Sequence, residues 1–497
     1  MSLLLGIDIG TSSVKALVFD SASCQVLAAH GQEYSIHTPK PGYAEQDPED
    51  YWQATVASVR QVIAQAGSNA ISAISFSGQM HGTILLNQAL KPIAPAIIWA
   101  DARAVHEPAE LLARVPHWAQ IAGTNPASGF QISTLAWIAK HHPEWLTQTH
   151  RVILPKDYVR LKMTGEALTD VSDAASTGAF DVAKGEWSHE LIHAARVSLT
   201  IFPSVAASSQ QVGTLRTEAA EALGLPVGVP LIAGCADQPA QAIGSGLVHR
   251  GMGSVTIGTG GQVFIPYQPQ GVLQTDAALH VFNHAVPDMW YVLGAILSAG
   301  SSMRWLRGIV GLQDTPDAYK ILSAEAAQVP VGAQGLRFLP YLFGERTPHM
   351  DPQASGGWIG LRYHHTRGHM ARAVMEGVSF ALRDALTLAL SLGASVDSMV
   401  IAGGGAESHV WRQILTDVLG VPLKKSRQQE QACLGAALLA GVGIGVYADV
   451  ASACQSIVSY DEPTLPDTAH QRLYNNFYAQ YRTLYPLLQQ TMHTLSD

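Results

Sequence analysis

Residues 3–19 read LLLGIDIGTSSVKALVF, and this stretch decides the fold. Two apolar runs flank the polar segment Gly10-Thr11-Ser12-Ser13, which predicts a strand, a tight turn and a second strand. Gly10 lets a ligand approach the backbone closely, and the hydroxyl and N–H groups of the turn suit phosphate oxygens. Asp8, at the end of the first strand, would repel a phosphate unless a divalent cation lay between them. Its position therefore implies Mg²⁺.

A second copy of this pattern lies about half a chain away. Residues 255–263 read VTIGTGGQV, which matches the order strand, Gly-Thr, turn, strand at residues 7–14. Two such turns predict two lobes that hold one nucleotide from opposite sides. Thr256 stands where the first copy has Asp8, so only one lobe offers an acid at this position. Neither copy is a Walker A loop, because no Gly-Lys-Ser/Thr follows; an ordinary hairpin with a polar turn is the other interpretation.

Length and composition bound the class of protein. A chain of 497 residues exceeds a single core, and 47% hydrophobic content with 45 glycines fits an α/β protein of two domains. The stretch 243–246 is the best hinge, which gives an N-terminal lobe at 1–244 and a C-terminal lobe at 245–497. A net charge of −9 argues against a nucleic-acid partner, and no apolar run reaches the 18 residues of a membrane span.

The four cysteines are scattered, without a CxxC motif, and are Cys24, Cys235, Cys433 and Cys454. Unpaired thiols in a reducing compartment are the preferred interpretation. Because no signal peptide is recognisable, we expect a cytoplasmic protein.

Polar residues follow several predicted strands. An apolar run at 71–76 leads into Gln79, Met80 and His81, and another at 229–235 leads into Asp237 and Gln238. Ligands bind at the carboxyl ends of strands in an α/β sheet, so we expect a substrate at these residues. A third cluster, at 99–103, contains Asp101. For His81 the structural alternative is a turn histidine.

Other features have more than one interpretation. Lys156 and Asp157 either line a polar cleft or form a local ion pair that caps a helix. The triplet Gly403–Gly405 predicts a strand-to-helix turn on which a flat ligand or a phosphate can lie, or simply a tight turn. Residues 298–302 form a loop that could face the nucleotide. Helical apolar spacing predicts helices at 47–66, 371–392, 409–419, 432–442 and about 473–488.

Taken together, these motifs resemble those of a known superfamily. Residues 8–11, 258–260 and 403–406 resemble the phosphate and adenosine motifs of the sugar kinase/Hsp70/actin superfamily. Along essentially its whole length the chain is similar to the FGGY carbohydrate kinases, and within them to bacterial pentulose kinases such as the xylulokinases. The segments that carry this likeness are 42–48, 77–82, 154–165, 172–182 and 338–348, with Gly360-Leu361 beyond them.

The resemblance implies an α/β fold of two ribonuclease H-like lobes with a nucleotide and sugar cleft between them. It implies ATP-dependent phosphorylation of the terminal hydroxyl of a pentulose, D-xylulose first, with Mg²⁺. Asp237 would be the catalytic base and Asp8 the metal-associated acid. The sugar would contact Gln79, Met80, His81, Asp101, Asp237 and Gln238, with an apolar wall from Met80 and a hydrogen-bond donor from His81. The nucleotide would contact Thr11, Ser12, Ser13, Lys15, Gly258, Thr259, Gly300, Arg304, Gly404, Gly405 and Ser408.

Several alternatives stay open at this point. Xylulokinases often carry Gly-Asp-Asn at the base, whereas this chain has Ala236-Asp237-Gln238, so ribulose, another ketose or a glycerol-like polyol also fits. A Rossmann dehydrogenase would need Gly-x-Gly-x-x-Gly, which neither later glycine cluster supplies. A non-catalytic ATP-dependent clamp would share the phosphate turns without needing a sugar pocket. The oligomeric state is open, a homodimer included.

Overall fold

The structure is a computed structural model that describes residues 2–269 and 272–496. The strands are β1 (Leu3–Ile9), β2 (Ser13–Asp20), β3 (Gln25–Glu33), β4 (Glu45–Gln46), β5 (Ile71–Gly78), β6 (Ile84–Leu86), β7 (Ala96–Ile97), β8 (Arg151–Ile153), β9 (Leu168–Asp170), β10 (Phe180–Asp181), β11 (Glu186–Trp187), β12 (Ser204–Ala206), β13 (Gln211–Thr214), β14 (Pro230–Ile232), β15 (Cys235–Ala236), β16 (Gly251–Ile257), β17 (Gly261–Tyr267), β18 (His280–Asn283), β19 (Trp290–Ile296), β20 (Arg337–Leu339), β21 (Gly357–Ile359), β22 (Val396–Ala402) and β23 (Leu423–Lys425).

The α-helices lie between and around these strands. They are α1 (Pro48–Ala66), α2 (Glu107–Arg114), α3 (Trp118–Ala122), α4 (Gln131–His141), α5 (Pro143–Gln148), α6 (Pro155–Thr164), α7 (Val171–Ser176), α8 (His189–Ala194), α9 (Thr217–Leu223), α10 (Asp237–Gly244), α11 (Gly300–Ile309), α12 (Ala318–Ala327), α13 (Arg367–Ser391), α14 (His409–Leu419), α15 (Gln431–Gly443), α16 (Val450–Ile457) and α17 (Thr468–Ser496).

The first sheet forms around the opening hairpin. Its order is β13-β14-β5-β1-β2-β3, with β15 also paired to β5. Strands β1 and β2 are antiparallel, whereas β1 and β5 are parallel. The turn between β1 and β2 closes through the N–H of Gly10, which donates to the carbonyl of Ser13 over 3.0 Å. The predicted strand–turn–strand unit is confirmed.

The second sheet repeats this arrangement. Its order is β18-β19-β17-β16-β22-β23, in which β16 and β17 are antiparallel and β16 and β22 are parallel. Thus β16, β17 and β22 correspond to β1, β2 and β5 of the first sheet. The repeat detected in the sequence is therefore a repeat of sheet topology.

Most predicted helices form within a few residues of their expected bounds. Helix α14 has the predicted ends, and α1 begins after Asp47, whose side chain accepts from the N–H of Glu49 at its first turn. Helix α17 extends well beyond the predicted amphipathic stretch. No helix within residues 2–269 and 272–496 has the length and apolar character needed to cross a membrane.

The predicted strand at 229–235 is instead two short strands, β14 and β15. Gly234 interrupts them with a φ of 80°, a left-handed conformation that favours glycine. A side chain there would collide with the carbonyl of Phe76 on β5. The break lets the chain follow β5 closely and then start α10 at Asp237.

Helix α15 connects the two halves of the chain. It lies in the second half but packs against α10 and the first sheet, in a cluster with Leu4, Leu17 and Ala73. Gly6 on β1 permits this contact, because a Cβ there would overlap the carbonyl of Cys433. The division of the chain at 244/245 stays a prediction, since this packing crosses it.

Lys156 and Asp157 form an ion pair in the interior. Their Nζ and Oδ1 atoms lie 2.9 Å apart, and both side chains are fully buried. Lys156 also contacts Asp170 at 3.0 Å and Asp173 at 3.2 Å. The interpretation as an ion pair is confirmed, whereas exposure along a cleft is excluded by the burial. The four cysteines are free, as predicted.

Candidate active site

Three neighbouring strands of the first sheet end at the same level. Ile9 on β1 and Ala236 on β15 both pair with Gly78 on β5. The next residues along these strands are Gly10, Asp237 and Gln79, so the first turn and the predicted base emerge on either side of Gln79. Asp8 sits one step earlier, where it pairs with Ser77, and Ser77 Oγ donates to Asp8 Oδ1 over 2.7 Å. Residues far apart in sequence thus converge at one edge, as predicted.

Burial sets the charge state of the two acids. It raises the pKa of Asp237 to about 7, and the nearby charge of Asp8 adds to this rise. Burial also raises the pKa of Asp8, although the hydrogen bond from Ser77 opposes the effect. Asp237 Oδ1 is buried and has no hydrogen-bond partner among the residues that the structure describes. A carboxylate with a free oxygen and a pKa near neutrality is suited to accept a proton.

The backbone directly before Asp237 is fixed by hydrogen bonds to buried polar side chains. The N–H of Ala236 donates to Ser172 Oγ over 3.0 Å, and Ser172 Oγ in turn donates to Asp170 Oδ2 over 2.6 Å. Asp170 is one of the acids around Lys156, so the buried ion cluster is linked to the strand end that carries Asp237. Gln238 lines a small cavity together with Thr256 and Gln262 of the second sheet, and its contact with a sugar stays a prediction.

Met80 and His81 follow β5 and line the adjacent space. His81 has a φ of 70°, and its ring stacks on Phe130 with centroids 4.2 Å apart. His81 Nδ1 lies 2.6 Å from the carbonyl of Ser176, and because a carbonyl only accepts, Nδ1 carries the proton. Burial lowers the pKa of His81 to about 4, so the ring is neutral and Nε2 offers a lone pair. The expected donor is therefore an acceptor toward a ligand.

Residues of the second half of the chain that the sequence did not indicate pack against Met80 and His81. His280 on β18 contacts Thr124 Oγ1 at 2.8 Å, and the hydroxyl of Tyr291 lies 4.0 Å from Met80 Sδ. Burial lowers the pKa of His280 to about 3, with smaller contributions from the charges of Arg346 and His81. No local motif could have identified them, because their role depends on how the two halves pack.

The remaining predicted sugar residues have partners inside the protein. Asp101 accepts from the N–H of Ala44 at 2.6 Å and forms an ion pair with Arg103 at 2.9 Å. Gln79 Nε2 donates to Gln46 Oε1 over 3.0 Å, while Gln79 Oε1 is buried without a partner among the described residues. Sugar contacts of Asp101 and Gln79 stay predictions.

The first turn, Gly10–Ser13, is braced by its neighbours. Thr11 Oγ1 accepts from Trp99 Nε1 over 2.8 Å, and the carbonyl of Thr11 accepts from Gln46 Nε2 over 2.7 Å. Lys15, on the strand beyond the turn, forms a 2.7 Å ion pair with Glu430 at the start of α15. The ammonium of Lys15 therefore joins the strand beyond the turn to α15, and its contact with a nucleotide stays a prediction.

The second turn, Gly258–Gly261, lies against two other glycine segments. The N–H of Gly258 donates to the carbonyl of Gly260 over 2.9 Å, and the N–H of Gly300 donates to the carbonyl of Gly258 over 2.7 Å. Gly403 has a φ of 84°, and a Cβ there would collide with the carbonyl of Ile257. The glycine segments at 258–261, at 300 and at 403 thus lie against one another and form one surface. The backbone of Thr259 is part of this surface.

Two predicted nucleotide residues lie differently from the rest. Ser408 caps α14, where its Oγ accepts from the N–H of Trp411 over 3.2 Å, and it also bonds Ser323 at 2.8 Å. Arg304 is exposed on α11. Their contacts with a nucleotide, and those of Ser12 and Ser13, stay predictions. No group of three or more His, Cys, Asp or Glu side chains is arranged to hold a metal in the described parts of the chain.

Comparison with known proteins identifies the family. The model of the FGGY family of carbohydrate kinases, N-terminal domain, matches residues 3–244, and that of the C-terminal domain matches residues 253–444. The chain belongs to the FGGY family of carbohydrate kinases. It is therefore a phosphotransferase that acts on an alcohol group, and kinase chemistry implies ATP as the donor. The predicted resemblance is confirmed.

Individual FGGY relatives match over nearly the full length. The xylulose kinase of Escherichia coli (strain K12) is 36% identical over 98% of this chain and 100% of its own length. That of Staphylococcus xylosus is 32% identical, with the same coverage of both chains. The crystal structure of xylulose kinase from Rhodospirillum rubrum superposes with a TM-score of 0.93 at 29% identity, covering 99% of this chain and all of that one. The expected two-lobed α/β fold of this FGGY kinase is confirmed.

Proposed function

We propose that this FGGY kinase transfers the γ-phosphoryl group of ATP to the terminal hydroxyl of D-xylulose. The products are D-xylulose 5-phosphate and ADP. The observation that carries the proposal is the row of strand ends that joins Asp8, Asp237 and the pocket of Met80 and His81. Full-length similarity to proteins named xylulose kinase supports the choice of sugar.

Asp237 acts as the general base. Its unpartnered Oδ1 accepts the proton of the sugar hydroxyl as that oxygen attacks the γ-phosphorus. A new P–O bond forms, the bond between the γ-phosphorus and the bridging oxygen breaks, and ADP leaves. N–H groups of the first and second turns hold the phosphate oxygens during the transfer.

Asp8 fits the role of the acid that holds Mg²⁺. Mg²⁺ prefers oxygen ligands and is bound by one or two carboxylates together with waters and phosphates, so a single buried carboxylate is sufficient. Ser77 holds one oxygen of Asp8, which fixes the direction of the other. When bound, Mg²⁺ would neutralise negative charge on the phosphates.

The sugar lies between polar and apolar walls. His81 Nε2 accepts a hydrogen bond from a ketose hydroxyl, while Met80 and Phe130 pack against carbon atoms. His280 and Tyr291 approach from the second half of the chain, so closure of the halves excludes water from the reaction. A pocket that bonds several hydroxyls rejects analogues that lack them.

A panel of acceptors tests the proposal directly. ADP release is measured with D-xylulose, D-ribulose, L-xylulose, gluconate and glycerol, and the position of the phosphate is read by ³¹P NMR. We expect the highest kcat/KM with D-xylulose and phosphate on its terminal carbon. Faster turnover of glycerol or another acceptor would contradict the choice of sugar, and absence of sugar-stimulated ADP release would contradict the kinase reaction.

We also propose a cytoplasmic location, which the four free cysteines support. A net charge of −9 disfavours a nucleic-acid partner, and light scattering of the purified protein would distinguish a monomer from a homodimer.

A further inference from the structure

The loop that carries Arg346 is fastened to the end of β19. On one side of Arg346, the N–H of Thr347 donates to the carbonyl of Ala295 over 3.0 Å. On the other side, Glu345 Oε1 accepts from the N–H of Leu297 over 3.1 Å. The loop position is therefore set by the strand, and Arg346 emerges at its carboxyl end.

This end of β19 lies beside the second turn. Ile296, the last residue of β19, pairs with Gly261. A Cβ on Gly260 would lie 2.7 Å from the carbonyl oxygen of Ile296 and 3.4 Å from that of Leu297. The backbone of Arg346 is thus one strand away from the surface that is proposed to hold the phosphates of ATP.

The guanidinium of Arg346 also acts on the sugar pocket. Its positive charge contributes to the lowered pKa of both His81 and His280, which come from opposite halves of the chain. The backbone of Arg346 thus lies beside the second turn, and its positive charge acts on the two histidines near the predicted sugar site.

The side chain of Arg346 is exposed, and desolvation lowers its pKa against the opposing effect of the nearby carboxyl of Glu345. Within residues 2–269 and 272–496 its side chain makes no hydrogen bond and no ion pair. Its neighbour Glu345 uses Oε1 for the N–H groups of Leu297 and Arg346 itself. Burial raises the pKa of Glu345 to about 8, so this carboxyl is mostly protonated at neutral pH. Glu345 and Arg346, although adjacent in the chain, form no ion pair in the part of the chain that the structure describes.

We propose that Arg346 binds the phosphoryl group while it passes from ATP to the sugar hydroxyl. The proposal rests on the proposed function. The guanidinium of Arg346 is exposed and therefore free to take an anion, and the planar fork of arginine matches phosphate oxygens. The γ-phosphoryl group is the anion that the reaction brings between the second turn and the sugar. Its equatorial oxygens carry the charge during transfer, which a guanidinium stabilises.

Three variants and a control test this role. Arg346→Gln removes the charge, Arg346→Lys keeps a charge without the fork, and Arg346→Ala leaves space for added guanidinium. Arg362→Gln, at an exposed arginine, is the control. For Arg346→Gln we expect kcat to fall about 100- to 1,000-fold, as when one transition-state donor is removed, with KM for the sugar within about 3-fold. Arg346→Lys should recover only part of this loss.

Two further measurements separate this role from a structural one. Inhibition by ADP with aluminium fluoride should weaken in Arg346→Gln by about the same factor as kcat, while affinity for ADP alone stays unchanged. Millimolar guanidinium should restore part of the activity of Arg346→Ala and should not affect Arg346→Lys. Thermal midpoints of all variants should match wild type.

The wild-type protein is assayed first with the whole acceptor panel. The variants are then assayed with the acceptor that the wild-type protein phosphorylates best, so failure of the proposed function and failure of the role of Arg346 give different results. If no acceptor is phosphorylated, the proposed function fails. The variants and the wild-type protein are then compared by their rates of sugar-independent ATP hydrolysis. A kcat for Arg346→Gln within 3-fold of wild type would overturn the proposal. A raised sugar KM with kcat retained would also overturn it, since Arg346 would then bind the acceptor.

Discussion

Replacing Asp237 by Asn should make the protein more stable and less active at once. The carboxyl has an ordinary pKa of 3.8 that burial raises to about 7 in the folded protein. Between these values the folded state binds more protons than the unfolded state does. The stability that this group contributes is therefore fully present below pH 3.8 and is lost as the pH rises through about 7.

The size of the effect follows from the same two values. A rise from 3.8 to about 7 corresponds to a loss of about 4 kcal/mol above pH 7, at 1.36 kcal/mol for each tenfold change in proton affinity. Partial access of Asp237 to the cleft makes this an upper bound. Asp237→Asn carries no such cost, so its advantage in unfolding free energy should reach about 4 kcal/mol at pH 8.5 and stay below about 2 at pH 5.

Urea unfolding of the two proteins at several pH values, with EDTA present, measures this difference. Asp314→Asn, at an exposed acid, is the matched control and should leave stability unchanged at each pH. In the kinase assay kcat of Asp237→Asn should fall by about two to four decades, and kcat/KM of wild type should rise with pH through about 7. A stability difference that does not grow with pH would refute the argument that burial raises this pKa.

Three other predictions concern neighbouring residues. Asp8→Asn should raise the Mg²⁺ concentration for half-maximal activity by about 10-fold or more, because the ion loses its acidic partner; an unchanged Mg²⁺ titration would contradict this. His81→Ala should lower kcat/KM for the ketose far more than it lowers sugar-independent ATP hydrolysis, and equal losses would remove His81 from the sugar pocket. Gly403→Ala should lower the thermal midpoint by the equivalent of about 1 kcal/mol or more, because the residue has a φ of 84° and its new Cβ would collide with Ile257. Gly404→Ala, where no atom lies within 4 Å of the added Cβ, is the control and should keep the wild-type midpoint.

Local patterns in the sequence were sufficient for the elements that carry the chemistry. The hairpin at residues 3–19, its repeat at 255–263 and helix α14 depend on apolar periodicity and on turn residues that act over a few positions. Asp8 and Asp237 could be selected because each is a single acid at the carboxyl end of a buried strand, and because such strand ends share an edge. Their convergence in one row confirms that reasoning.

The tertiary structure decided what depends on contacts between distant parts of the chain. Lys15 pairs with Glu430, which lies 415 residues away, and the charge of Arg346, from the second half, acts on His81 of the first. The apolar periodicity of the sequence cannot predict such pairs, because each residue is locally compatible with many surroundings. The charge states of Asp237 and His81 likewise depend on contacts between distant parts of the chain. Burial shifts both pKa values, and burial exists only once the two halves have packed together.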